Sequence, residues 1–236
     1  MHVYRINFLF LMLVTISNVY ASYYPDSSWE ISSPEDQQVS TDNVDALVNL
    51  AFLDDSTQAV VVIKNGKIIS EKYAEGYDKN SHGTSWSMAK SYYAALIGIS
   101  IDKGEISGLD DKVGDYLTYF NDERSDITIR DLLDMSSGLD FPKDEHETMF
   151  FQEDHLKYAK GVGVEKSAGL KFEYNNVNSM LLGDILIAAT GKKADLLLKE
   201  RILDHIGVTD YKLWKDENGN VLTYCCVDMS ARDYSK

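Results

Sequence analysis

The chain has 236 residues, 44% of them hydrophobic and 26% charged, a composition that argues for a folded protein rather than general disorder. Its 38 acidic residues outnumber 23 basic ones and leave a net charge of −15. A surface this acidic repels phosphate backbones and argues against nucleic acid as a partner. The two cysteines, Cys225 and Cys226, are adjacent. Neighbouring residues rarely meet the geometry of a disulfide, so no disulfide framework is expected. Neither CxxC nor HExxH occurs, and His146-Glu147 with His155 has the wrong spacing for a helical zinc pair. Those groups read as solvated surface, and no metal or organic cofactor is expected.

Arg5 precedes the apolar run Ile6 to Ile16, followed by Ser17-Asn18-Val19-Tyr20-Ala21. A basic start, a short apolar stretch and a small residue after Val-Tyr predict a secretory signal peptide over residues 1–21, cleaved after Ala21. The run is shorter than the ~20 apolar residues a membrane span needs. An uncleaved anchor or a buried helix is the alternative. Export to the periplasm or the medium follows from the first reading. Residues 22–40 hold two of the three prolines and read as an extended lead-in.

Residues 41–236 read as one domain. Val44 to Leu53 is patterned as a short amphipathic helix, with Asp42 or Asn43 as its N-cap. Ala59 to Tyr73 places two β-rich runs around Asn65-Gly66, which predicts an antiparallel hairpin. Trp86 to Lys103 is apolar nearly all round, the mark of a buried helix, and Gly104 closes it. Residues 105–127 are rich in turns. Thr128 opens a helix that runs to Met135 and stops at Ser136-Ser137-Gly138. Residues 141–170 are irregular and polar, so the region from about 105 to 170 reads as mostly helical pieces and turns. Asn178 to Thr190 is a second buried helix closed by Gly191, and Ala194 to His205 an amphipathic one closed near Gly207. Ala231 to Lys236 resembles the first turn of a helix.

Two short patterns carry chemistry. In Ser87-Met88-Ala89-Lys90, residues three apart share one helical face. A serine hydroxyl becomes a nucleophile once a base takes its proton, and a lysine in an apolar site can be that base. The start of the helix also offers free N–H groups to a developing oxyanion. A second copy, Ser100-Ile101-Asp102-Lys103, lies at the end of the same helix, where no free N–H points outward. In Tyr174-Asn175-Asn176 a phenol can relay a proton, and an amide two residues on can bond a lysine or a substrate amide. On the pattern alone Tyr174 reads more readily as a packed aromatic with its hydroxyl satisfied, and Tyr119-Phe120-Asn121 is a second copy, placed in a turn.

The order of several joined motifs resembles the serine β-lactamase-related family. These are Trp86-Ser-Met-Ala-Lys-Ser91, Leu96-Ile-Gly-Ile-Ser100, Lys103-Gly-Glu-Ile-Ser107, Ile127-Thr-Ile-Arg-Asp-Leu-Leu-Asp-Met-Ser-Ser-Gly-Leu139, Gly169-Leu-Lys-Phe-Glu-Tyr-Asn-Asn176, Leu182-Gly-Asp-Ile-Leu186 and Ala189-Thr-Gly191. The branch is similar to class C β-lactamases, carboxylesterases and 6-aminohexanoate-dimer hydrolases. The resemblance implies an α/β (α+β) fold of the β-lactamase/transpeptidase kind, an antiparallel sheet flanked by helices with a mostly helical subdomain. It implies Ser87 as the acylated nucleophile, Lys90 as its partner, Tyr174 as proton relay and Asn176 as the amide that meets substrate. The implied reaction is hydrolysis of an amide or ester of a small molecule or peptide-like substrate. The alternatives are a penicillin-binding or sensor module that acylates without turnover, and a catalytically inactive fragment. No Ser-Asp-Asn occurs and no K-T-G follows Tyr174; the H-x-G there, His205-Ile206-Gly207, stands at the end of an amphipathic helix and not on a strand. In the family that third motif lies on a later strand, so the sheet is expected to be incomplete in this chain, truncated at its C-terminal side.

Overall fold

The computed structural model describes residues 24–140 and 148–236. The signal-peptide reading, and His146 with Glu147, lie outside the described residues. Helix α1 (Thr41–Ala51) begins three residues before the apolar pattern does, and its N-cap position is Ser40 rather than Asp42 or Asn43. Glu35 explains the earlier start, because its carboxylate accepts the Thr41 N–H at 3.2 Å and takes over the capping task. The expected hairpin is present as β1 (Ala59–Lys64) and β2 (Lys67–Tyr73). Asn65 and Gly66 turn it with φ of 50° and 76°, the left-handed pair a two-residue hairpin loop requires. α1 lies on this hairpin and buries Val44 and Val48 against Ile69, a small core separate from the main one. The lead-in runs along the hairpin and bridges Ile31 to Ile68.

A second sheet is formed by β3 (His82–Thr84), β4 (Lys212–Leu213) and β5 (Val227–Ser230), in the order β3-β5-β4 with antiparallel pairing. An ion pair from Arg232 to Glu71 ties the hairpin to α7 (Ala231–Tyr234), which follows β5 directly. Trp29 Nε1 also donates to the Arg232 carbonyl at 2.9 Å.

The main core is built on α2 (Ala89–Asp102) and α5 (Asn176–Thr190), which pack on one another. α5 buries every residue from Val177 to Gly183, as a helix apolar on all sides must. Gly183 lets a neighbouring segment lie directly on α5, since a Cβ there would stand 3.1 Å from Thr223 Cγ2. The short helix α3 (Ile129–Leu133) opens with a capping box between Thr128 and Asp131. α4 (His155–Gly161) is capped by Asp154. α6 (Ala194–Leu198) continues into a π-helical turn over Lys199–Leu203, so the expected helix to His205 is present with a widened second half. Gly104, Gly191 and Gly207 all hold the left-handed conformation at the ends where the sequence placed stops.

One expectation is corrected. His155 is not solvated surface: it is 4% exposed and its Nδ1 lies 3.0 Å from the Tyr224 hydroxyl. Its position at the first turn of α4 aims it into the core rather than outward.

Candidate active site

Ser87 and Tyr174 both come from segments that lead into the two central helices. Trp86–Met88 form one 3-10 turn, and α2 follows at Ala89. Residue 86 has φ of 45°, a left-handed conformation that a tryptophan adopts only under constraint. This bend leaves Ser87 exposed at the head of α2 while Ala89 is fully buried. The neighbouring strand fixes the bend. Ser85 N donates to the Val227 carbonyl at 2.8 Å, Val227 N to Ser85 Oγ at 2.9 Å, and Cys226 N to the Trp86 carbonyl at 3.3 Å. Asn175 caps α5, accepting Val177 N–H at 2.9 Å and donating to the Leu139 carbonyl at 3.2 Å. That cap holds Tyr174 one residue outside the helix.

Three of the four candidate residues meet. Lys90 Nζ donates to Ser87 Oγ at 3.0 Å, and the Tyr174 hydroxyl donates to the same oxygen at 2.6 Å. Lys90 Nζ also donates to the Tyr224 carbonyl at 2.7 Å. It lies 5.0 Å from the Tyr174 ring centroid and 5.7 Å from that of Tyr224. Burial pushes the Lys90 ammonium below the ordinary lysine range, and the hydrogen bond and charge interaction with Tyr174 oppose that shift. A lysine so placed can accept the Ser87 proton, and the phenol can return it to a leaving group. Asn176 stands at the first position of α5, and its buried Oδ1 has no hydrogen-bond partner. It does not join the other three at Ser87 Oγ.

The second copies of both motifs lie elsewhere. Ser100 is fully buried and accepts a hydrogen bond from Arg201 Nη1 at 3.0 Å, within an Arg201–Glu105 ion pair. Tyr119 donates to Asp184 at 3.1 Å. Sequence reasoning missed Tyr224, whose carbonyl makes the shorter of the two Lys90 contacts. Its signal is faint, since a backbone acceptor leaves no mark on residue type. Among the described residues no cluster of His, Cys, Asp and Glu suits a metal ion, and no helix is long and apolar enough to cross a membrane.

Ser87 at the head of α2, Lys90 one turn on and Tyr174 just ahead of α5 thus form one hydrogen-bonded cluster. The Beta-lactamase family model matches residues 53–224, and the chain belongs to that family. The N-acetylmuramyl-L-alanine amidase of Bacillus subtilis (strain 168) is 26% identical over 174 residues, which cover 61% of this chain and 39% of the amidase. A Bacillus anthracis structure provisionally described as a 6-aminohexanoate-dimer hydrolase superposes with a TM-score of 0.70 at 20% identity, covering 90% of this chain and 60% of that one. A class C β-lactamase from Rhodobacter sphaeroides gives a TM-score of 0.61 at 18% identity, covering 83% of this chain and 64% of that one. The chain therefore spans about two fifths of the curated relative and three fifths of the first of these structures. At these identities the structural likeness is one of fold, the β-lactamase and transpeptidase fold.

Proposed function

We propose that the protein hydrolyses an amide or ester through a covalent acyl-serine at Ser87. The observation that carries this reading is the convergence of Lys90 Nζ and Tyr174 OH on Ser87 Oγ, at 3.0 and 2.6 Å. In this reading Lys90 takes the Ser87 proton as the oxygen attacks the carbonyl carbon. Tyr174 passes a proton to the departing amine or alcohol, and water then cleaves the acyl-enzyme. Asn176 is assigned to the substrate amide on its place two residues after Tyr174, as in the family motif. The named amidase and hydrolase relatives support an amide as the bond cleaved. Export after cleavage at Ala21 belongs to the same proposal, and N-terminal sequencing of the mature protein tests it by finding Ser22 first.

The site is tested with a fluorophosphonate probe followed by peptide mapping. Label is expected on the peptide that carries Ser87, lost in Ser87→Ala and kept in Ser100→Ala. Label that survives Ser87→Ala and disappears in Ser100→Ala overturns the assignment. With p-nitrophenyl acetate, steady release marks a hydrolase, whereas a single burst marks a module that acylates without turnover.

A further inference from the structure

We infer that Trp86, backed by Trp214, forms a subsite for a neutral apolar group of the substrate, beside the nucleophile. This inference rests on the acyl-serine reading above and names the substrate chemistry that reading leaves open. The residues on either side of Ser87 in sequence, Trp86 and Met88, are 58% and 50% exposed. Exposing an indole to water is unfavourable, and so is holding it at φ of 45°. Neither serves the packing of the core, and both serve a surface that receives an apolar ligand.

The indole is also held in place. Its ring lies 6.0 Å from that of Trp214, and Trp214 lies 6.4 Å from Phe150. Trp214 is oriented by its Nε1, which donates to Asp228 Oδ2 at 2.9 Å. From Phe150 the rings continue through His155 at 6.2 Å to Tyr224 at a further 6.0 Å. The Tyr224 ring faces Lys90 Nζ at 5.7 Å. His155 and Tyr224 are buried, 4% and 3% exposed, so this chain of rings anchors Trp214 to the core and leaves Trp86 as the ring open to a bound group.

The carboxylates beside these rings are Asp228, on Trp214, and Asp216, whose Oδ2 accepts the His155 backbone N–H at 3.0 Å. The cation at their far end, Lys90, is already engaged by Ser87 and the Tyr224 carbonyl. An alkyl or aryl group gains from burial against the rings, and a carboxylate loses hydration there and meets negative charge.

The experiment uses p-nitrophenyl phosphonates with methyl, hexyl and 5-carboxypentyl groups on phosphorus. In each, Ser87 Oγ bonds to phosphorus, p-nitrophenolate leaves and is counted by its absorbance, and the serine proton passes to Lys90. Hexyl is expected to react ~10- to 50-fold faster than methyl, as half-buried methylenes imply. The carboxypentyl compound is expected to fall back toward methyl. Trp86→Ala should bring the hexyl-to-methyl rate ratio down toward one, and Trp86→Phe should restore most of it. A merely structural role for Trp86 would slow all three compounds together. Equal methyl and hexyl rates, a hexyl gain that survives Trp86→Ala, or a carboxypentyl rate above hexyl overturns the inference while leaving Ser87 as nucleophile. Failure of every compound to modify Ser87 overturns the acyl-serine reading and this inference with it.

Discussion

The Tyr224 carbonyl accepts Lys90 Nζ at 2.7 Å, a closer contact than the 3.0 Å from Lys90 Nζ to Ser87 Oγ. The lysine is therefore aimed by a backbone acceptor on one side and aims at the nucleophile on the other. The turn that presents this carbonyl is held by Cys225 N to Leu222 O at 3.0 Å and by Thr223 Oγ1 to Ser179 O at 2.7 Å. A third hold is the buried pair of the Tyr224 hydroxyl and His155 Nδ1.

Replacing His155 by Phe is expected to remove its hydrogen bond to that phenol, a loss of about 1 kcal/mol. Tyr224→Phe should destabilise similarly, and the double variant by less than the sum, because both single changes break the same bond. Urea unfolding of the three variants measures this. Additive losses would show that the pair does not act as a unit.

Lys90→Ala and Tyr174→Phe are each expected to lower kcat by ~10²–10⁴ with a smaller change in KM. Their effects should fall short of additivity, since both groups act on the same oxygen. Tyr119→Phe is the control: its hydroxyl bonds Asp184, and activity should persist. The reverse pattern in steady-state kinetics would show that Tyr119 is the relay.

Acidity gives an independent handle. Burial lowers the Lys90 pKa, and a base works only when unprotonated. The rate of Ser87 acylation should rise with pH through the Lys90 pKa and reach its plateau below the ordinary lysine range. Stability follows a related rule. Burial is the largest cause lowering the His155 pKa, so as pH falls through about 6.5 the unfolded chain binds a proton that the folded chain refuses. The histidine contribution is fully present above that pH and is lost on the way down to the folded pKa. Melting temperatures from pH 8 to pH 5 should therefore decline less in His155→Gln than in the parent.

Much of this site was legible from side-chain type. Ser87 and Lys90 stand three residues apart, a spacing that helical geometry turns into a contact, whereas Tyr174 rests on a weak Tyr-x-Asn pattern and the family resemblance. The hairpin was legible because Asn65-Gly66 has one favoured turn conformation. What stayed hidden lacks a periodic signature. β3, β4 and β5 hold three, two and four residues, too few to show an alternation. The Tyr224 carbonyl belongs to every residue type alike. His155 looked like surface because its neighbours in sequence are polar, and only the direction of α4 turns it inward.

Gly138 links the stability of the fold to the placement of Tyr174. It has φ of 71°, and a Cβ there would stand 2.1 Å from the Lys166 carbonyl oxygen. That carbonyl cannot simply retreat, because Glu165 N and Lys166 N both donate to the Gly138 carbonyl, at 2.9 and 3.2 Å. The two crossing segments also carry the site. Gly169 N donates to Ser136 O at 2.8 Å and Glu173 N to Met135 O at 2.7 Å, which sets the path of the chain into Tyr174. The Ser137 hydroxyl bonds Asn178 at 2.6 Å, and the Leu139 carbonyl receives Asn175, so the same loop supports the cap of α5. Gly138→Ala must push the segments apart as well as strain the backbone, and a loss of about 2–4 kcal/mol is expected. A displaced Tyr174 should slow acylation of Ser87 by ~10-fold or more, as small misplacements of catalytic groups do. Gly108 serves as control, since a Cβ there meets nothing within 4 Å; Gly108→Ala should leave both quantities nearly unchanged. Thermal melts and phosphonate labelling of the two variants read stability and geometry separately. A Gly138→Ala protein that melts and labels like the parent would show that the loop can yield, and that Tyr174 is placed without it.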